Sequence, residues 1–427
     1  MKCLSLGRPI CGDDQPSPSI FRAINRSLDL GHHSRPLLQN VTELHYDFFP
    51  GVSIVDAWIF LDPRLKKLVL STPVPIVGLE AFLEAVKSTC PYLLNLRILI
   101  DDYEENKDAG AVGRAISNTV CGLSYLQEAS IQGSGVTLNS KTLVFLASLP
   151  TLQKLNVSVP GGPPLRSYQE EFPILPFPTL RDLCCSATIA DAGEFLQLIS
   201  TCSALKSLSI ELSTIPPPQE LYTFLTIVHQ SSFRDTLTTV ALYDSEGWDE
   251  DLPASHSLGV HTLSPLLQCP NLEDISFGIH YGQQAISNSL MESMASAWPH
   301  LRNLSLTSFY GDCRREYNIN LKGLIHLAQR CRALESVRCQ FDMSLPTESM
   351  HPGNGVRIES LTHLSIGRSP IVDPPAVAAL LSDVFPNLAV FNDWHCGESE
   401  EMGILWVDVD KLLKMKRQER SSALIRN

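Results

Sequence analysis

Apolar positions recur along almost the whole chain in one short phrase: an anchor, two variable residues, a second anchor, one variable residue and a third anchor. Leu65, Leu68 and Leu70 set the phrase, and Leu93/Leu96/Ile98, Leu205/Leu208/Ile210 and Leu301/Leu304/Leu306 repeat it. Twelve copies run from Leu65 to Leu388/Phe391, and Val41/Leu44/Tyr46 opens the series as a thirteenth. First anchors stand 24 to 35 residues apart, so each copy is one supersecondary unit of a stacked array.

Residues 190–215 show what one unit is made of. Phe195, Leu198 and Ile199 fall at i, i+3 and i+4, the apolar face of a helix whose first turn Asp191 is placed to cap. Thr201-Cys202-Ser203 ends that helix. Leu208 and Ile210 then alternate with Ser207, Ser209 and Glu211, the period-two pattern of a strand with one wet face. The same order predicts helices over 78–87, 141–148, 288–297, 321–330 and 375–383, each ahead of its strand. Right-handed crossovers then lay successive strands side by side in a parallel sheet. Helices are wider than strands, so the expected stack bends with its strands on the inner side.

The turn-and-strand phrases Cys90-Pro91-Tyr92-Leu93, Cys269-Pro270-Asn271-Leu272 and Phe385-Pro386-Asn387-Leu388 resemble the long, helix-containing repeats of fungal F-box/leucine-rich-repeat proteins. The resemblance spans residues 41–394 and implies an α/β leucine-rich-repeat solenoid, a horseshoe with parallel strands on its concave face and helices on its convex face. The family's asparagine, eight residues after the first leucine, is replaced here by Pro73, Asp101, Ser134, Pro160 and Ser213. Three regions are expected: an irregular segment or cap over 1–40, the solenoid over 41–395, and a capping helix with a basic tail over 396–427. Proteins of this group often begin with an F-box that docks onto a Skp1-type adaptor. Residues 1–40 lack its Leu-Pro opening and carry Pro9, Pro16 and Pro18, so that adaptor is an expected partner only if an F-box lies upstream.

Charge and composition narrow the function classes. A net charge of −13 disfavours nonspecific binding to nucleic acid or to an anionic membrane. No apolar run approaches the roughly 20 residues that cross a bilayer. Met1 to Pro9 lacks the apolar stretch of a signal peptide, which makes an intracellular protein, of cytoplasm or nucleus, the expectation. Four of the twelve cysteines, Cys90, Cys202, Cys269 and Cys331, stand three residues before a first anchor, where sibling repeats hold Leu149, Phe177, Trp298 and Phe385. A slot shared by Cys, Leu, Phe and Trp is an apolar core position, so these thiols are expected to be buried and inert.

No cofactor, metal or catalytic constellation is expected. Gly161-Gly162-Pro163-Pro164 is too rich in proline to wrap a phosphate, and the acidic runs 101–108 and 244–251 lack the alternating oxygen ligands of a calcium loop. His32, His33, His229, His256 and His261 follow no pattern across repeats. Function is therefore expected on a surface. Side chains two and four residues after each first anchor point away from the helices, giving a face that is small and polar from Ser207 to Ser305 and ends on Val390 and Asn392. Binding surfaces concentrate energy in aromatic and arginine anchors. The candidate partner-binding residues are Arg97, Tyr243, Asn303, Ser305, Arg338, His363 and Trp394, with Trp248 as a secondary candidate. The expected function is a non-enzymatic protein–protein recognition scaffold that takes a protein ligand on its concave face. The resemblance implies the substrate-binding part of an F-box ubiquitin-ligase receptor. A GTPase-activating or enzyme-inhibiting leucine-rich-repeat protein, or a stand-alone binding module, is the alternative.

Overall fold

Strand and helix alternate down the chain as the spacing of anchors requires. The computed structural model describes residues 3–6, 40–47, 54–73, 78–101, 109–133, 135–159, 165–244, 257–279, 283–284, 286–306, 319–344, 356–366, 369–391 and 400–426. Two compact units are present, one drawn from residues 1–187 and 194–205, the other from 188–193 and 206–427.

In the first unit, β1 (Cys3–Leu6), β2 (Glu43–Asp47), β3 (Lys67–Pro73), β4 (Asn95–Asp101), β5 (Glu128–Gly133), β6 (Lys154–Ser158) and β7 (Asp182–Ala187) pair in parallel in sequence order. Helices α1 (Leu79–Thr89), α2 (Ala109–Val120) and α3 (Ser140–Ser148) make the crossovers, and α4 (Ile189–Leu198) is divided between the units. Register aligns the second anchors in one row, Leu44, Leu68, Leu96, Ala129, Leu155 and Leu183, all buried. β1 extends this sheet by one strand within the segment expected to be irregular or a cap, with Leu4 beside Leu44 and Leu6 beside Tyr46.

In the second unit, β8 (Ser207–Leu212), β9 (Thr239–Asp244), β11 (Asp274–Gly278), β13 (Asn303–Ser305), β14 (Ser336–Arg338), β15 (His363–Ser365) and β16 (Ala389–Phe391) form the parallel series. A separate two-stranded ribbon joins β10 (Ser257–Leu258) to β12 (Gln283–Gln284). The helices are α5 (Pro218–Gln230), α6 (Val260–Leu263), α7 (Asn288–Ala297), α8 (Leu321–Arg330), α9 (Pro374–Val384) and the long α10 (Glu400–Arg426). The fold is an α/β leucine-rich-repeat solenoid, with parallel strands on one side of an apolar core and helices on the other.

Two kinds of hydrogen bond clamp one repeat to the next. The carbonyl of the residue after a first anchor accepts from two successive N–H groups of the following repeat: Thr42 from Lys66 and Lys67, Lys66 from Leu94 and Asn95, Arg302 from Glu335 and Ser336. A strand entering its sheet this way satisfies two donors with one acceptor, and its direction is set before the ladder begins.

The cysteine slot supplies the second clamp. Cys90 Sγ donates to the Asp62 carbonyl at 3.4 Å, Cys202 to Phe177 at 3.4 Å and Cys331 to Trp298 at 3.2 Å, in each case the same slot of the preceding repeat. Burial pushes the Cys90 and Cys269 thiols up to about 12 and the Cys331 thiol up to about 11, and also raises Cys185 and Cys202. All five are buried hydrophobes, and Cys90, Cys202 and Cys331 also serve as weak donors.

Two local expectations are corrected. Thr188, not Asp191, caps α4: Asp191 N–H donates to Thr188 Oγ1 at 3.2 Å, while that hydroxyl donates to Asp191 Oδ2 at 2.7 Å. The carboxylate thus sits in the first turn, where it steadies the capping hydroxyl instead of replacing it. In the last repeat, Leu364 lies beside Val390 and His363 beside Ala389. The strand begins one residue earlier relative to its first anchor, so Val390 is buried in the core row and Ala389 takes the outward position. A one-residue slip reverses every side chain of a strand. The double clamp is reduced with it, since only Ala389 donates to the Thr362 carbonyl.

Candidate functional site

The candidate site is the strand face turned away from the helices, taken separately in each unit. Strand neighbours stand about 4.8 Å apart, so residues in register form continuous rows across a sheet.

In the first unit the leading row is Glu43, Lys67, Asn95, Glu128, Lys154 and Asp182. Its charges alternate and pair off. Lys67 Nζ lies 4.0 Å from Glu43 Oε2, Asn95 Nδ2 donates to Glu128 Oε2 at 2.9 Å, and Lys154 Nζ lies 3.2 Å from Asp182 Oδ2. The next row is His45, Val69, Arg97, Ser130, Asn156 and Cys184. Arg97 is exposed, and among the described residues it has no ion-pair or hydrogen-bond partner; the register places it between Val69 and the buried Ser130. His45 Nε2 is buried without a hydrogen bond and has Glu43 Oε2 at 4.0 Å. Glu43 and His45 belong to the face but lay outside the sequence-based selection. The alternation of Leu44 and Tyr46 is the signal that places them there.

In the second unit the rows read Ser207, Thr239, Asp274, Asn303, Ser336, His363, Ala389 and Ser209, Ala241, Ser276, Ser305, Arg338, Ser365. Four of the candidate residues come together here on three adjacent strands. Asn303 and His363 flank Ser336, and Ser305 and Ser365 flank Arg338. Asn303 Nδ2 donates to Asp274 Oδ1, which orients its amide along the row. His363 Nδ1 shares a 2.8 Å hydrogen bond with the Thr362 hydroxyl. At the strand entry, Arg302 Nη2 lies 2.5 Å from Glu335 Oε1, and this exposed pairing holds the Arg302 guanidinium above its ordinary value.

Tyr243 occupies β9 beside Gly278, two strands from Asn303, and is half-buried. Arg97 belongs to the other unit. Trp394 and Trp248 lie outside the described residues, as does Asn392. Among the described residues no group of three or more His, Cys, Asp or Glu side chains is placed to hold a metal ion, and no helix is long and apolar enough to cross a membrane.

Fold and face together define a leucine-rich-repeat solenoid with an accessible, mostly polar strand surface. No family model and no curated protein matches the sequence. Among solved structures, the crystal structure of the Rad7–Elc1 complex in yeast matches with a TM-score of 0.38 and 16% sequence identity, over 91% of this chain and 87% of that one.

Proposed function

We propose that this chain is a non-enzymatic, intracellular protein-recognition scaffold that takes its protein ligand on the open strand face. The observation that carries the reading is Arg97. The neighbouring charges in the leading row are held in pairs, while this guanidinium is exposed and has no partner among the described residues. An exposed arginine with no internal partner is a ready anchor for a carboxylate-bearing segment, because no ion pair has to be broken first and its planar fork matches a carboxylate with two parallel hydrogen bonds. In the other unit, Asn303, Ser305, Arg338 and His363 offer donors and acceptors within two strand spacings. We further propose, from the resemblance of the repeat phrases, that the face reads substrates for an F-box-type ubiquitin ligase.

Affinity purification from the native source tests both levels. Wild type, Arg97→Glu and Arg338→Glu are compared with Lys141→Glu, a change on helix α3. The reading expects one or more proteins recovered with wild type and Lys141→Glu and lost with at least one of the two face variants. Equal recovery with all four refutes the face. Recovery of a Skp1-type adaptor, together with an F-box encoded upstream in the transcript, supports the ligase role. A transcript beginning at Met1 and no adaptor removes that role and leaves the scaffold.

A further inference from the structure

Helix α10 is apolar on two opposite sides. Trp406, Val409 and Leu413 are buried, and the helix packs on α9 and β16. Trp406 Nε1 donates to the Ser369 carbonyl at 2.8 Å, which seats that side against the body of its unit. The other side exposes Ile404 (59%), Val407 (46%) and Met415 (55%). With Lys411 and Asp408 they occupy about 100° of arc on a helix of 3.6 residues per turn. Among the described residues no other helix exposes more than one large apolar side chain.

Two features of that side select its occupant. Residues 400–410 carry four acids and no base, whereas residues 411–420 carry five bases and one acid. A second copy laid antiparallel sets the acidic half of each helix against the basic half of the other; a parallel copy sets like against like. The positions are also self-complementary. Ile404 and Met415 are equidistant from the point midway between Val409 and Asp410, and so are Asp408 and Lys411. A two-fold axis through that point brings Ile404 of each copy against Met415 of the other. It also closes the Asp408–Lys411 ion pair, at 3.0 Å within one helix, into a four-charge ring.

We infer that the outward side of α10 is a self-association surface, on which two copies of this chain pair through antiparallel α10 helices. The contact is a single helix pair, smaller than the roughly 1,200–2,000 Å² of a stable interface, so the dimer is a weak one that forms in the micromolar range.

Sedimentation velocity of the full chain, from about 1 to 200 µM, tests the inference. The expected result is a concentration-dependent shift from monomer toward dimer, lost in Ile404→Glu and in Met415→Glu. Charge reversal tests the orientation. Asp408→Lys alone and Lys411→Asp alone each place like charges across the axis and are expected to remain monomeric. An equimolar mixture of the two restores opposite charges at both contacts and is expected to form heterodimers. Circular dichroism confirms that each variant is folded. A wild-type chain that stays monomeric throughout overturns the inference, and so does a dimer that survives Ile404→Glu. Single-reversal variants that self-associate like wild type overturn it as well.

Discussion

Gly110→Ala and Gly113→Ala make the same chemical change three positions apart on α2, and their effects should have opposite signs. Glycine-to-alanine replacement inside a helix gains about 0.8–1.0 kcal/mol from backbone entropy and propensity. Gly110 is exposed, and a Cβ placed there meets nothing closer than Arg114 Nη1 at 3.7 Å. The gain is retained, reduced to roughly 0.5 kcal/mol because the position lies in the fraying first turn.

Gly113 is buried, and its Cβ would stand 2.5 Å from the carbonyl oxygen of Thr137, against the 3.0 Å below which real Cβ contacts essentially do not occur. The obstacle is backbone, so no rotamer change relieves it. Helix α2 or the turn before α3 must move by at least about 0.5 Å. Overpacking costs about 1–3 kcal/mol, and a backbone obstacle belongs to the upper part of that range, about 2–3 kcal/mol, which leaves a net loss of about 1–2 kcal/mol after the propensity gain. Repeat arrays need not unfold in one step, so urea melts should be read together with amide exchange in α2 and α3. The expected result is slower exchange in Gly110→Ala and faster exchange in Gly113→Ala. If Gly113→Ala is as stable as wild type, α2 is not seated against Thr137 and the register between these two repeats is wrong.

Further outcomes follow from other contacts. Trp406→Ala removes a fully buried indole and its hydrogen bond to Ser369, and should cost about 3–5 kcal/mol, read as early proteolysis of α10. The hydrogen-bonded Arg64 guanidinium holds the Asp62 carboxyl below its ordinary 3.8. The depressed value adds stability above about pH 3.9, and that stability is lost as pH falls through the lower folded-state value. Arg64→Met should move the Asp62 titration upward by NMR, and a native Asp62 that already titrates at 3.8 or above would contradict the pairing. At pH 8 a thiol near 11 is ionised to only about one part in a thousand, so Cys331 should resist alkylation in the native protein while the exposed Cys121 reacts. Peptide mapping after iodoacetamide labelling checks this, and labelling of Cys331 at the same rate as Cys121 refutes it.

The repeat was legible because its signals are local. Leu208 and Ile210 alternate with polar neighbours, and α7 and α8 span 288–297 and 321–330 as the helical spacing predicted. The exchange of Cys331 for Trp298 and Phe385 in one slot marked that slot as core without any structure, since only burial tolerates such a set. The strand β1 also had its signal, the Leu4–Leu6 alternation, which the prolines that follow it overshadowed.

Other features depend on contacts between residues far apart in the chain. Leu388, Val390 and Phe391 fit the anchor phrase in two registers, and only pairing with β15 places Val390 inward. Arg97 reads like any other strand arginine until the neighbouring Lys67 and Lys154 are seen to have carboxylates beside them. Helix α10 carries Trp406, Val409 and Leu413 on one side and Ile404, Val407 and Met415 on the other. Helical periodicity alone ranks neither side above the other. The packing of Trp406 beneath Ser369 decided which became core and which remained available to a partner.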